Sequence, residues 1–505
     1  MTEIAAANQA PAAAPQSDRS RWIALIVLCV GMLMIVLDQT IVNVALPSIK
    51  EDLGFSQSSL AWVVNAYLIT FGGLLLLAGR FGDLIGRKSV FMAGLALFII
   101  ASALCGAAQT QEMLIGARFL QGVGGAVTSA VILGMIVTMF PEPREQAKAI
   151  GVYSFVAAAG ASIGLLLGGV LTQALNWHWI FFVNIPIGLA TAFAAFRLVD
   201  RDEGLGFADG TDALGAVLIT GALMLGVYTI VEPASDLGWG AGQTLALGAV
   251  SIALLAAFIA REATARTPLI PLRIFRSRNV SGANAVEALF VAGMFGMFFL
   301  GSLYMEQVLG YSALEIGLAF LPVALAIGVL SLGFSERLNM RFGAKPTLVV
   351  GQVLILAGLV LFAIAPVHAT YLTDLLPPML LLGVGAGLSF PSLMTLAMSS
   401  ATQEDSGLAS GLVNTSLQVG GALGLAVLAT LSSSRTENLL ASGSTPDVAL
   451  TDGFQLAFWI GAGLVAGAVA VTAFVIRGGA AQGQPELAEA PDATEPAEAA
   501  YQEAA

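Results

Sequence analysis

The 505 residues are 57% hydrophobic and only 11% charged, against about 25% charged in a soluble domain, which excludes an ordinary water-soluble fold. The net charge of −12 does not mark a basic or nucleic-acid partner, because half of it falls after Arg477, in Glu486, Glu489, Asp492, Glu495, Glu498 and Glu503. Cys29 and Cys105 are the sole cysteines, each inside an apolar run, which leaves no disulfide framework and no metal site to expect.

In chain order, residues 1–20 read as a disordered Ala/Pro/Gln tail. The first apolar run, 22–47, is too long for the core of a cleavable signal and carries Asp38 near its centre. An ionised Asp there costs roughly 2.5–3.5 kcal/mol on insertion scales, so it needs a cavity or a partner. Further runs of about 20 residues cover 57–79, 89–108, 113–140, 147–172, 179–197, 212–232 and 242–260. They continue at 280–305, 313–334, 346–366, 372–399, 407–432 and 453–476. Fourteen predicted spans place both termini on one side. That side's tails and loops hold 18 of the 21 Lys and Arg; Lys50 and Arg435 lie opposite and Arg118 lies inside the fourth span. Positive charge favours the cytoplasmic face, so both termini are expected there, in a cytoplasmic membrane. Seventeen Arg against four Lys fits a GC-rich bacterial genome.

The chain also matches itself. Leu53-Gly54-Phe55-Ser56 returns as Leu309-Gly310-Tyr311-Ser312, Gly86 and Lys88 as Gly343 and Lys345, Gly122-Val123-Gly124 as Gly383-Val384-Gly385, and Gly160 and Gly164 as Gly420 and Gly424. The offset drifts only from 256 to 261. The expected all-α membrane fold is two parallel six-helix repeats, at 21–200 and 266–477. Two inserted spans at 201–265 separate them, and 478–505 is an acidic disordered tail. Such halves, related by an axis along the membrane normal, suit a rocking transporter with its site between them.

Several motifs resemble the fourteen-helix drug:proton antiporter family of the major facilitator superfamily, over roughly 20–477. Leu37-Asp38-Gln39-Thr40-Ile41-Val42-Asn43-Val44-Ala45-Leu46-Pro47 resembles its first-helix motif. Gly79-Arg80-Phe81-Gly82-Asp83-Leu84-Ile85-Gly86-Arg87-Lys88 resembles the superfamily's loop 2–3 motif, with Leu84 where a basic residue is usual. Arg118 followed by Gln121-Gly122-Val123-Gly124-Gly125-Ala126 resembles the fourth-helix motif. Trp177 through Gly188 resembles the start of the sixth helix, with His178 where Arg is common. The fifth-helix antiporter motif resembles Gly160 to Gly169, with Leu165 in place of its proline, so a straighter helix is expected. The resemblance implies a major facilitator fold and proton-coupled export of hydrophobic or cationic drugs. It also implies a latch at loop 2–3 built on Gly79, Asp83, Gly86, Arg87 and Lys88.

Candidate residues follow from charge and depth. Asp38 lies ~13 Å from the outer end of its helix and Arg118 ~8 Å in from the same side, so the two are expected to share the outer half of one cavity. Arg118 would tune proton or cation binding at Asp38. A fixed structural pair is the competing reading. Glu287 lies ~10 Å from the cytoplasmic side, as a second proton site or a lipid-interface acid. The offset pairs Asp38 with Met294 in the second repeat. Gln39, Asn43, Trp62 and Asn65 are candidate cavity-lining residues. Gly160, Gly164 and Gly168 form a small-residue face for close helix packing, and Gly169 belongs with them to the fifth-helix antiporter-like motif. Trp177 and Trp179 read as interfacial belt residues, and Glu232, Glu306 and Asp374 as interfacial acids. No nucleotide motif is visible, so no enzyme activity and no cofactor beyond a coupling proton is expected. The expected partners are a small-molecule substrate and the bilayer, with no nucleic acid and no obligate protein partner. Two alternatives stay open: an exporter of one metabolite, such as a self-made antibiotic or siderophore, and a membrane sensor on a transporter scaffold.

Overall fold

The computed structural model describes residues 18–56, 58–140, 142–200, 202, 204, 212–398 and 406–477. Of the two expected tails, only residues 18–20 are described, as the first turn of a helix rather than disordered chain.

Long apolar runs without an aqueous partner for the backbone must close their hydrogen bonds internally, and the described residues are helical almost throughout. The first half consists of α1 (Asp18–Leu53), α2 (Ala61–Ile85), α3 (Arg87–Gly106), α4 (Gln111–Met139), α5 (Pro143–Ala174) and α6 (Trp179–Leu198), the last interrupted by a turn at Val183. Then come α7 (Ala213–Val231) and α8 (Gly242–Thr264). The second half consists of α9 (Arg278–Gln307), α10 (Ala313–Val329), α11 (Ala344–Ala363), α12 (Tyr371–Met398), α13 (Ser406–Ala441) and α14 (Pro446–Phe474). α10 runs on through a π-helical turn, Leu330–Phe334, into Ser335–Phe342. Eleven of these helices are long and apolar enough to cross a membrane, and α2, α5 and α10 hold the shorter apolar stretches Ala61–Leu75, Ile163–Ala174 and Ala313–Val329. Local chemistry sets several starts. Thr110, Asp212, Ser277 and Ser312 each accept a backbone N–H of the helix they precede, and Ser312 completes a capping box with Glu315.

The repeat is visible in the packing. In the first half α1 packs on α4, α5 and α6, α2 on α4, and α3 on α4 and α6. In the second, α9 packs on α12, α13 and α14, α10 on α12, and α11 on α12 and α14. Adding eight to each helix number of the first set yields the second. The turns agree: Gly54 and Gly310 have φ of 70° and 72°, and Gly86 and Gly343 have 100° and 90°. A side chain is strained in that region, which explains why glycine recurs at these sharp corners.

The halves meet where α2 lies against α13 and α5 against α10, with α1 touching both α9 and α10. α7 spans this seam, packing on α2 and on α13, and α8 packs chiefly on α7. Of the apolar window of α8 only 11% is buried, against 78% for α9, so α8 faces lipid and α9 lies at the centre.

The helix pairing also corrects one sequence alignment. On α5, a Cβ at Gly164 would meet the Leu37 carbonyl and Thr40 of α1; on α13, one at Gly424 would meet Ala292 of α9. Gly168 likewise meets Ile41, and its counterpart Leu428 meets Gly296. These pairs carry an offset of 255 within the first helix, one less than the loop that follows. The counterpart of Asp38 is therefore Gly293 and not Met294; the extra residue lies in the turn. Gly293 packs on Gly461 of α14 and Leu359 of α11, where no acid would fit.

Candidate functional site

Arg118 lies two turns inside α4, whose start is capped by Thr110, and its side chain is 1% exposed. A guanidinium in that position needs acceptors for its donors, and three helices supply them. Its Nε donates to the Val63 carbonyl of α2 at 2.8 Å, and Nη1 donates to Asp38 Oδ2 of α1 at 2.6 Å and to Gln121 Oε1 at 2.8 Å. The Tyr67 ring lies 4.4 Å from the guanidinium carbon and adds a cation–π contact.

Asp38, fully buried, has its other oxygen occupied as well. Oδ1 accepts from Gln121 Nε2 at 2.8 Å and from Asn184 Nδ2 at 2.9 Å. Both amides also donate to Ser102 Oγ of α3, at 3.1 and 3.0 Å, and Ser102 donates to the Phe181 carbonyl of α6 at 2.8 Å. The result is a closed polar network joining α1, α2, α3, α4 and α6. The depth argument expected Asp38 and Arg118 as neighbours in an open cavity. They are instead in direct contact, sealed inside the first bundle. Gln121 and Asn184 entered the sequence reading only as members of motifs, and Ser102 not at all. Gln121 is three residues from Arg118 and so shares its helix face; Asn184 sits in the sixth-helix motif; Ser102 carries no local signal.

Glu287 differs in kind. It is 1% exposed on α9, and its Oε1 has no hydrogen-bond partner among the described residues. This burial excludes a lipid-interface acid. One turn earlier, Asn284 receives a hydrogen bond from Ser416 of α13 at 2.7 Å, and Phe290 meets Phe390 of α12 edge-on with centroids 5.1 Å apart. The structure does not bring Glu287 to the Asp38 network: the two acids belong to different bundles.

The other candidates separate. Gln39 and Asn43 are half-buried on α1, and the Asn43 amide is spent on its own helix, at the Gln39 and Thr40 carbonyls. Trp62 is 7% exposed, and Asn65 is fully buried with neither amide atom paired among the described residues. On α5, Gly160, Gly164 and Gly168 all face α1, while Gly169 faces Ala313 and Leu314 of α10. That small-residue stripe therefore serves a seam within the first half, and Gly169 the seam between halves.

At loop 2–3, Arg87 Nη1 donates to the Gly134 carbonyl of α4 at 3.2 Å, and Lys88 Nζ donates to the Phe196 carbonyl at 3.0 Å and to that of Val199. The Asp202 carboxylate accepts both backbone N–H groups, from Arg87 at 2.8 Å and Lys88 at 3.1 Å, so it caps the start of α3. Gly86 lies against the Asp202 carbonyl, whereas nothing lies within 4 Å of a Cβ at Gly79. The bonds described here join the first half to itself and to the connection after it, at Asp202; the Asp83 side chain of the expected latch lies outside the described residues.

Trp177 is 3% exposed and donates to Asp52 Oδ2 at 2.9 Å, so it is a packed residue and not a belt residue; Trp179 is 45% exposed. Asp374 accepts from Thr370 N and Thr373 Oγ1 at the start of its own helix. Glu306, expected as interfacial, is half-buried between the two halves.

The sequence profile described as Major Facilitator Superfamily matches residues 28–425. This chain belongs to the Major Facilitator Superfamily. Among its superfamily relatives, it is 39% identical over 474 residues to a puromycin resistance protein of Streptomyces alboniger, covering 93% of each chain. It is 37% identical over 429 residues to a cephamycin export protein of Amycolatopsis lactamdurans, covering 84% of this chain and 87% of that one. The superfamily fold is also seen in the similarity to an inward-facing bacterial homolog of the human lysosomal transporter Spinster. That match has a TM-score of 0.63 and 15% identity and covers 90% of this chain and 97% of the other. A mutant of the nucleoside transporter NupG matches with a TM-score of 0.64 and 12% identity, covering 90% and 100%.

Proposed function

We propose that this chain is a proton-coupled secondary transporter that exports hydrophobic or cationic small molecules across a bacterial cytoplasmic membrane by alternating access, with both termini cytoplasmic. The Asp38–Arg118 network is the observation that supports coupling most directly. An acid and a base sealed together in a bilayer protein neutralise each other, and any proton reaching Asp38 must displace Arg118 from it. Protonation then becomes a change in how α1 and α4 are joined. Glu287, buried with its Oε1 unpaired among the described residues, is the second candidate proton site. The names of the relatives support an antibiotic-sized substrate. Asn65, buried with its amide unpaired among the described residues, offers a polar anchor for it.

The energetics suffice. One proton entering down ~100 mV releases about 2.3 kcal/mol, and one pH unit adds about 1.4. Together they sustain roughly a 500-fold gradient of a neutral solute exchanged one for one.

The test uses everted membrane vesicles acidified inside. Addition of puromycin, ethidium or other unrelated drugs should release the internal protons in a manner dependent on this protein. Release by many compounds supports broad export, and release by one supports a dedicated exporter. No release with any compound would overturn the transport reading.

A further inference from the structure

The connection between α8 and α9, at the same end of the molecule as loop 2–3, has a one-sided charge pattern. Between Glu262 and Glu287 the chain holds four arginines, Arg266, Arg273, Arg276 and Arg278, and no acid. The acids beside it are turned inward. Asp212, 2% exposed, accepts from the Gly215 N–H at 2.9 Å and from Arg261 Nε at 3.1 Å. Glu262, 3% exposed, accepts from the Ile270 N–H at 2.7 Å. Arg266, Arg276 and Arg278 are exposed, and none of the three has an acid as partner among the described residues.

The same segment has two apolar faces. Ile270 and Ile274 are buried in a small core of their own with Phe258 of α8, Val280 of α9 and Leu412 of α13. Leu272 and Phe275 are instead exposed, at 36% and 40%. They follow directly on α8, the helix that faces lipid, where Ile259 near its end is 49% exposed. Apolar side chains beside arginines at the end of a lipid-facing helix match the layering of a bilayer surface, acyl chains against phosphates. The segment is also fastened to the centre of the molecule. Ser281 Oγ donates to the Phe275 carbonyl at 2.7 Å, Ser277 caps the start of α9, and Asn279 Oδ1 accepts from the Arg477 N–H at 2.9 Å.

We infer that the α8–α9 connection is a binding surface for an anionic phospholipid: Arg266, Arg276 and Arg278 supply the positive charge for its headgroup, and Leu272 and Phe275 lie among its acyl chains. A lipid held there is fastened to the start of α9, the helix that carries Glu287. The inference rests on the bilayer placement given under the proposed function, which puts this surface in the cytoplasmic leaflet.

The test reads lipid contact, which does not depend on transport. The full-length protein carrying Leu272→Cys is labelled there with bimane, since Cys29 and Cys105 are buried, and placed in phosphatidylcholine nanodiscs. Nitroxide-labelled phosphatidylglycerol should quench the bimane at about 5-fold lower mole fraction than nitroxide-labelled phosphatidylcholine. Replacing Arg266, Arg276 and Arg278 together by Gln should bring the two lipids to within about 2-fold of each other. Arg276→Gln alone should give an intermediate preference, and it covers the case of a triple variant that fails to fold. Arg337→Gln/Arg341→Gln, which removes exposed charge from the end of α10 instead, should leave the preference unchanged. Equal quenching by both lipids in the parent, or an equal loss in the α10 variant, would overturn the site, the latter by showing only diffuse attraction to the whole basic face. A parent that keeps the preference but moves neither drug nor proton in vesicles would overturn the transport reading and leave the lipid site standing.

Discussion

Two buried acids in this chain have opposite circumstances, and substitutions should tell them apart. Asp38 accepts three hydrogen bonds, one of them the ion pair with Arg118, so removing Arg118 strands a charge in the bilayer interior. Arg118→Ala should destabilise the protein by about 3 kcal/mol or more, read as a lower thermal midpoint in detergent. Asp38→Asn keeps the shape and much of the hydrogen bonding but leaves nothing to protonate. Drug-driven proton release should fall at least about 10-fold, a loss of ~1.4 kcal/mol, while membrane content stays level on an immunoblot. Glu287 has one oxygen without a partner among the described residues, so Glu287→Gln removes a titratable group without breaking a bond to that oxygen. Its thermal midpoint should stay within the shift produced by ~0.5 kcal/mol. Proton-driven efflux should fall, and exchange of labelled for unlabelled drug without a proton gradient should persist. Equal loss of both activities would make Glu287 a substrate contact instead.

Among the helices, the tightest seams depend on residues that have no side chain to lose. A Cβ at Gly164 would collide with Thr40 and come within 2.9 Å of the Leu37 carbonyl, which is helix backbone and cannot rotate away. Gly164→Ala must therefore push α1 from α5 and should cost about 1–3 kcal/mol. Gly79→Ala, with nothing within 4 Å, should leave the thermal midpoint unchanged or slightly raised, because alanine suits a helix better. Equal effects of the two substitutions would show that the α1–α5 contact is looser than described.

The whole molecule is two bodies joined along two seams, with α7 laid over one of them. Motion between the bodies must pass through the α2–α13 seam, where a Cβ at Gly72 would lie 2.7 Å from Gln418 Cβ. After a small outward adjustment, that geometry suits a disulfide. Oxidation of the double variant Gly72→Cys/Gln418→Cys should stop transport, and a reductant should restore it. Full activity of the oxidised protein would mean that the halves need not separate there.

Class, helix order and the presence of two related halves could be read from residue order alone. Apolar run length and the recurrence of Gly54 as Gly310 and of Gly86 as Gly343 are properties of the chain itself. The direct contact of Asp38 with Arg118, the roles of Ser102 and Asn184, and the isolation of Glu287 were not legible. Helical spacing reports which residues of one helix share a face. It does not report the rotation of that helix against its neighbours, and the one-residue shift that pairs Asp38 with Gly293 came from an extra residue in the turn that only the helix contacts located. Tertiary packing decides that rotation. In a bilayer this is also what decides whether a charge finds a partner, since no water is present to supply one.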